Sequence, residues 1–172
     1  MTAEPLVHVV AMGVSGTGKS TVAAAVATEL GLELVEGDDH HPDTNRKKMA
    51  DGIPLTDADR LPWLRKLAAL VERKQAEGTP TVLTCSALRR SYRDILRAGA
   101  AEIFFLHLHA DFDVLLERMG ERKGHFMPAS LLQSQFDTLE PLGPDESGTM
   151  IDVTPSVAEV TAKAVRAIRA MT

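Results

Sequence analysis

Gly13-Val14-Ser15-Gly16-Thr17-Gly18-Lys19-Ser20 fits G-x-x-x-x-G-K-[ST], the pattern of a loop that cradles phosphates. Each part of it has a physical task. The glycines let the backbone curl until successive N–H groups converge on phosphate oxygens. A helix opening near Lys19 turns the positive end of its dipole to the same place. Lys19 is long enough to reach the outer phosphates, and Ser20 offers a hydroxyl to Mg²⁺. With Thr21 added, Gly13, Val14, Ser15, Gly16, Thr17, Gly18, Lys19, Ser20 and Thr21 form the expected ATP-binding segment, and Ser20 the expected metal ligand. So short a pattern also arises by chance in glycine-rich turns. Its placement, after the apolar run Leu6–Met12 and before the helical composition of Lys19–Leu30, decides for nucleotide binding.

Such a cradle serves switches, motors and kinases alike. A guanine-reading switch carries Asn-Lys-x-Asp, which is absent here. A motor holds its Mg²⁺ with an Asp ending an apolar strand, but Leu83-Thr84-Cys85-Ser86 has no acid. The nearest suitable carboxylate lies in Glu36-Gly37-Asp38-Asp39. An acid there suits phosphoryl transfer to a hydroxyl, which needs in-line positioning, charge neutralisation and a carboxylate near the attacking oxygen. Asp38 is expected either to orient and deprotonate the acceptor or to hold a Mg²⁺-bound water.

Three basic clusters stand out: Arg46-Lys47-Lys48, then Arg89, Arg90 and Arg93, then Arg118, Arg122 and Lys123. They hold nine of the 19 Lys and Arg residues in a chain whose net charge is −5. The acidic balance argues against nucleic acid as a partner. Each cluster taken alone is an ordinary solvated helix face. The first two stand beside the rim formed by the loops after the first three strands, which makes them plausible contacts for anionic ligands.

The elements that must position these residues alternate. The apolar run Leu6–Met12 reads as a buried parallel strand, and Glu33–Glu36, Thr81–Cys85, Ile103–Leu108 and Met150–Val153 read as four further strands. Between them lie helical patterns: Lys19–Leu30 stopped by Gly31, a helix through Leu61–Val71 with Asp59 as N-cap, Ser91–Ala98, and Asp111–Met119. A last helix over Ser156–Met171 opens with Ser156 and Glu159 at capping-box spacing. This is an α/β fold, a five-stranded parallel sheet flanked by helices, in one domain spanning residues 1–172. In such sheets ligands sit beyond the carboxyl ends of the strands. The loop after strand one, Asp38 after strand two and Ser86–Arg93 after strand three therefore share a rim. Met1–Pro5 lacks the regions of a signal peptide, and no apolar run approaches the roughly 20 residues of a membrane span. The single cysteine, Cys85, permits no intrachain disulfide and suits a cytoplasmic setting as a buried, inert thiol.

Longer blocks carry a more specific signal. Gly37-Asp38-Asp39-His40-His41-Pro42, Asn45, Lys48-Met49, Gly52, Pro54-Leu55, Asp57, Asp59-Arg60 and Pro62-Trp63-Leu64 stand in order. Cys85-Ser86-Ala87-Leu88-Arg89, Tyr92-Arg93-Asp94, His125-Phe126-Met127, Ser134-Gln135-Phe136 and Leu139-Glu140 follow. From Val10 to about Pro141 the chain resembles the small gluconate kinases. The resemblance implies the P-loop kinase fold with strand order 2-3-1-4-5, transfer from ATP to gluconate, Mg²⁺, a cytoplasmic setting and a homodimer.

On that basis the catalytic set is expected to be Lys19, Asp38 and Arg122, and the acceptor set Asp38, His41, Arg46, Lys48, Arg60, Arg89, Arg93 and Gln135. A polyhydroxy carboxylate calls for many donors and a cation. Arg60, close to Asp57 and Asp59, is the member expected to pair locally. Residues 120–137 are expected to form a lid that excludes water, with Arg118 and Arg122 on one helical face. Arg118 and Pro155 are expected at the adenine, and Trp63 is assigned to the core. His125 and Gln135 match the family without an evident task. The competing readings are a kinase for another small acceptor, of the shikimate or nucleoside monophosphate type, and a non-catalytic nucleotide-binding module.

Overall fold

The computed structural model describes residues 7–100, 102–121 and 129–171. Five strands form one sheet: β1 His8–Met12, β2 Glu33–Glu36, β3 Thr81–Thr84, β4 Ile103–His109 and β5 Gly148–Asp152. Their order is β2-β3-β1-β4-β5, and every pairing is parallel. All residues of β1 and β3 are buried, because helices cover both faces of a parallel sheet.

Seven α-helices lie among the described residues: α1 Lys19–Leu30, α2 Asp43–Ala50, α3 Asp57–Ala76, α4 Arg90–Arg97, α5 Phe112–Glu121, α6 Ala129–Thr138 and α7 Val157–Met171. Right-handed crossovers assign their faces. The chain moves from β1 to β2 in one direction along the sheet and returns through β3, β4 and β5 in the other. This puts α1 on one face, where it packs against α7, and α3 and α4 together on the other. The reversal of direction beside β1 opens a crevice at the carboxyl ends of β1 and β3, where a ligand is bound in this architecture.

The α1 helix runs over the residues its composition predicts and ends on Gly31 in the left-handed region. The α3 helix buries Trp63, Leu64, Leu67, Leu70 and Val71, and each fully buried large apolar side chain contributes about 1.5–3 kcal/mol. Its cap differs from expectation. Thr56, not Asp59, is the N-cap: its side chain accepts from the Asp59 N–H, and the Asp59 carboxylate accepts from the Thr56 N–H. Asp59 thus occupies the third position of a capping box. Pro62 is the sixth residue of the helix, past the first turn, so the backbone bond that its position would give to the Ala58 carbonyl is absent.

Candidate active site

Two glycines shape the rim because no other residue fits. Gly13 follows β1 with φ 137°, and a Cβ there would lie 2.4 Å from the Leu108 carbonyl oxygen. Gly37 follows β2, where a Cβ would lie 2.0 Å from the Thr84 carbonyl oxygen. The phosphate loop therefore lies tight against β4 and the acidic turn tight against β3. The Gly13 N–H donates to Ser86 O at 3.1 Å, extending the β1–β3 pairing into both loops.

Within the loop, the buried Thr17 hydroxyl donates to Val14 O at 3.0 Å and closes the curl. Lys19 Nζ donates to Gly13 O and Val14 O, each at 3.1 Å, and so lies folded over the cradle. Ser20 Oγ donates to Glu36 Oε2 at 2.9 Å, and the Thr84 hydroxyl donates to the same oxygen at 2.7 Å. Sequence reasoning passed over Glu36, although it ends β2 beside Asp38. The carboxylate and hydroxyl oxygens of Glu36 and Ser20 are hard donors of the kind that Mg²⁺ takes.

Gly37–His40 forms a single 3-10 turn. Its N-terminal end is held by the Trp63 indole N–H, which donates to Gly37 O at 2.8 Å. His41 stacks on the same indole, with ring centroids 3.9 Å apart and planes 16° from parallel. Only 7% of His41 is exposed, and burial pushes its pKa down to about 4 against the pull of Asp38, with Arg46 and Arg60 adding to the depression. The ring is neutral near pH 7. Its Nδ1 faces the Asn45 side-chain nitrogen at 3.2 Å, which also donates to Asp59 O at 2.9 Å. An amide nitrogen only donates, so Nδ1 accepts and Nε2 carries the proton. Nε2 lies 3.7 Å from the Asp38 carboxylate, whose side chain is 83% exposed. Asp38 is thus presented to solvent beside a fixed donor.

One cavity of about 90 Å³ joins these parts, lined by Ser15, Lys19, Asp38, His41, Arg60 and Trp63, with Ser86, Leu88 and the α6 side chains Leu131, Ser134 and Gln135. Lys19 and Asp38 therefore face the same space. A second cavity of about 290 Å³ lies on the other side of the loop, lined by Gly16, Thr17, Gly18, Thr21, Arg118 and Pro155 among others. Arg118 is steadied there by donating to Val153 O at 2.8 Å.

The expected acceptor residues separate into three groups. Asp38, His41, Arg60 and Gln135 line the first cavity. Arg60 does not pair with Asp57 or Asp59 as expected; its guanidinium donates to the Tyr92 hydroxyl at 3.1 Å. Those acids are taken by others, Asp59 by Lys48 at 2.9 Å and Asp57 by Arg89 at 3.7 Å. Arg46 donates to the carbonyls of Asp38, Asp39 and His41 and braces the acidic turn from outside. Lys48, Arg89 and Arg46 are thus beside the cavity rather than on its wall.

Arg93 requires a correction. It is fully buried and points into the protein. Its guanidinium pairs with Glu146 through Nε at 2.7 Å and Nη2 at 3.0 Å, and donates to Ala87 O at 2.8 Å. Ala87 has φ 46°, a strained conformation for a residue with a Cβ. Arg93 thus fastens the turn that carries Ser86 and Leu88 into the cavity. Trp63, assigned to the core, is 2% exposed and also forms part of the cavity wall. Cys85 is buried, and burial pushes its thiol up to about 12, as an inert residue requires. Arg122 and His125 lie outside the described residues.

Comparison with known proteins matches residues 9–142 to a family model described as an AAA domain. A gluconokinase of Gluconobacter oxydans is 53% identical over 137 residues, covering 80% of this chain and 77% of the relative. The crystal structure of a sugar kinase from a Janibacter species superposes with a TM-score of 0.93 at 50% identity, covering 96% of this chain and 95% of the other. That of a gluconokinase from Sinorhizobium meliloti gives 0.86 at 45% identity, covering 95% and 92%. At these identities and coverages, this chain belongs to the gluconokinase family of P-loop proteins.

Proposed function

We propose that the protein transfers the terminal phosphoryl group of ATP to D-gluconate, giving 6-phospho-D-gluconate and ADP. The single observation that carries this reading is the shared cavity, in which the phosphate loop's Ser15 and Lys19 meet Asp38, His41 and Arg60. Family membership supplies the acceptor.

The base lies in the larger cavity against Arg118 and Pro155, and the phosphates follow Gly16 to Ser15 along the loop. Lys19 neutralises charge on the outer phosphates. Ser20 and Glu36 offer the oxygen ligands for a Mg²⁺ ion, which when bound supplies further neutralisation of the phosphates. Asp38 accepts a hydrogen bond from the 6-hydroxyl of gluconate and orients it. The hydroxyl oxygen bonds to phosphorus, the bridging P–O bond to ADP breaks, and the proton passes to Asp38. A loose transition state asks little of so weak a base. His41 donates from Nε2 and Arg60 supplies positive charge for the sugar acid, with Arg89 at the mouth. Residues 120–137 are the proposed lid, and Arg122 the proposed charge stabiliser. We further propose a cytoplasmic homodimer with no nucleic-acid or membrane partner; no described helix is long and apolar enough to cross a membrane.

A coupled ADP-release assay with Mg-ATP and a panel of gluconate, shikimate and nucleoside monophosphates tests the reading. Gluconate-dependent release alone is expected. Release with another acceptor and not with gluconate, or with none, contradicts it.

A further inference from the structure

The phosphate loop and the α6 helix meet at one short hydrogen bond: the Ser15 backbone N–H donates to Gln135 Oε1 at 2.7 Å. In a loop whose N–H groups suit phosphate oxygens, a side-chain carbonyl holds one of them. The two cavities say which phosphate that N–H would serve. Gly16, Thr17 and Gly18 line the base-side cavity, whereas Ser15 and Lys19 line the acceptor-side cavity. A nucleotide laid along the loop from one to the other brings its last phosphate to Ser15.

Gln135 also lines the acceptor cavity, together with Leu131 and Ser134 of its own helix. That cavity, at about 90 Å³, is well under the roughly 300 Å³ at the low end of small-molecule sites. Part of its wall must therefore give way when the acceptor enters, and Leu131, Ser134 and Gln135 of α6 belong to that wall. The far end of the helix is held. Glu140 N donates to Leu88 O at 2.6 Å, and the Glu140 carboxylate accepts from the Arg90 N–H at 3.0 Å, at the start of α4.

We infer that Gln135 is a positioning residue that exchanges partners: its Oε1 yields the Ser15 N–H to the terminal phosphate of ATP, and its carboxamide turns to the acceptor. A charge-assisted bond from Ser15 to phosphate is roughly twice as strong as the neutral one it replaces, so the exchange is downhill with ATP. ADP has no phosphate at that position and leaves Gln135 on Ser15. The acceptor pocket is then completed only when the donor has a phosphate to give. The identity of the acceptor rests on the proposed function, but the exchange at Ser15 does not.

Two variants test this by calorimetry in Mg²⁺. Gln135→Glu keeps an acceptor on the Ser15 N–H but sets a negative charge where the terminal phosphate must arrive. Affinity for a non-hydrolysable ATP analogue is expected to fall at least tenfold, and affinity for ADP by less than threefold. Equal losses for the two nucleotides overturn the inference. Gln135→Ala removes the link. In the natural protein the ATP analogue is expected to tighten gluconate binding several-fold relative to ADP, and in the variant that ratio is expected to fall to within twofold, a coupling that mere support of the fold would not carry. A ratio unchanged by Gln135→Ala also overturns it. Should gluconate fail to bind the natural protein at all, the proposed acceptor is wrong, and the nucleotide arm still judges Gln135.

Discussion

Replacing Arg93 by Met separates two roles that a kinetic assay alone would confuse. The substitution keeps most of the side chain's volume and removes its charge. It leaves Glu146, whose side chain is 1% exposed, without its main partner, and Ala87 O without its donor. Burial pushes the Glu146 carboxyl up, but the hydrogen bonds from Arg93, the Gly143 N–H and Arg97 outweigh it and hold the pKa near 2. Breaking a buried pair by removing one partner costs about 3–5 kcal/mol. Arg97 remains on Glu146, which places the loss near the lower end, about 3 kcal/mol. For a chain of 172 residues this lowers the melting temperature by roughly 6–12 °C. Thermal unfolding is measured first, then KM for gluconate and for ATP on the surviving folded enzyme. A large fall in Tm is expected, with any rise in KM shared by both substrates because the Ala87 turn loosens. Exchanging Glu146 for Gln in the same chain should recover part of the loss, since no unpaired buried carboxylate then remains. An unchanged Tm with a tenfold rise in KM for gluconate alone would show that Arg93 is a substrate ligand and that the buried pairing has been misjudged.

Other outcomes follow from the same geometry. Asp38→Asn should lower kcat by about 10²–10⁴ with ATP affinity nearly kept, the range for a lost acid–base group; near-normal turnover removes Asp38 from the chemistry. Arg60→Ala should raise KM for gluconate more than for ATP, whereas Arg46→Ala, which loosens the acidic turn, should lower kcat as well; the reverse pattern contradicts the division of cavity wall from outer brace. Burial holds His41 and His107 near 4, below the ordinary 6.5, so the unfolded chain takes up protons before the folded one does. Their contribution is whole above about pH 6.5 and is lost as the pH falls toward 4, by on the order of 3 kcal/mol each at most. Urea unfolding should show this fall, and a midpoint flat from pH 7 to 4.5 would refute the placement of both rings.

Much of the molecule is legible in its residues for identifiable reasons. Buried parallel strands read as Val- and Leu-rich runs because both faces are covered, and α1 is bounded by the cradle and by Gly31. The α2 helix, Asp43–Ala50, left no periodic signal, since Asn45 is its only buried residue. The Thr56–Asp59 pair had capping-box spacing, but Asp59 alone drew attention as an N-cap candidate. Arg93 sits among cations on a rim, and only the packing of α4 shows that it turns inward toward Glu146, 53 residues away in sequence. Glu36 was hidden for a similar reason: its partners, Ser20 and Thr84, come from two other elements. Charge identifies a candidate, whereas the facing of a helix and the meeting of distant loops decide its use.

On the proposed function, the phosphate loop and the acidic turn hold donor and acceptor across one gap. A crystal structure with gluconate and a non-hydrolysable ATP analogue measures it directly. The 6-hydroxyl is expected within hydrogen-bonding distance of the Asp38 carboxylate and in line with the terminal phosphate at Lys19. Gluconate bound elsewhere, with its hydroxyls turned away from both groups, would contradict it.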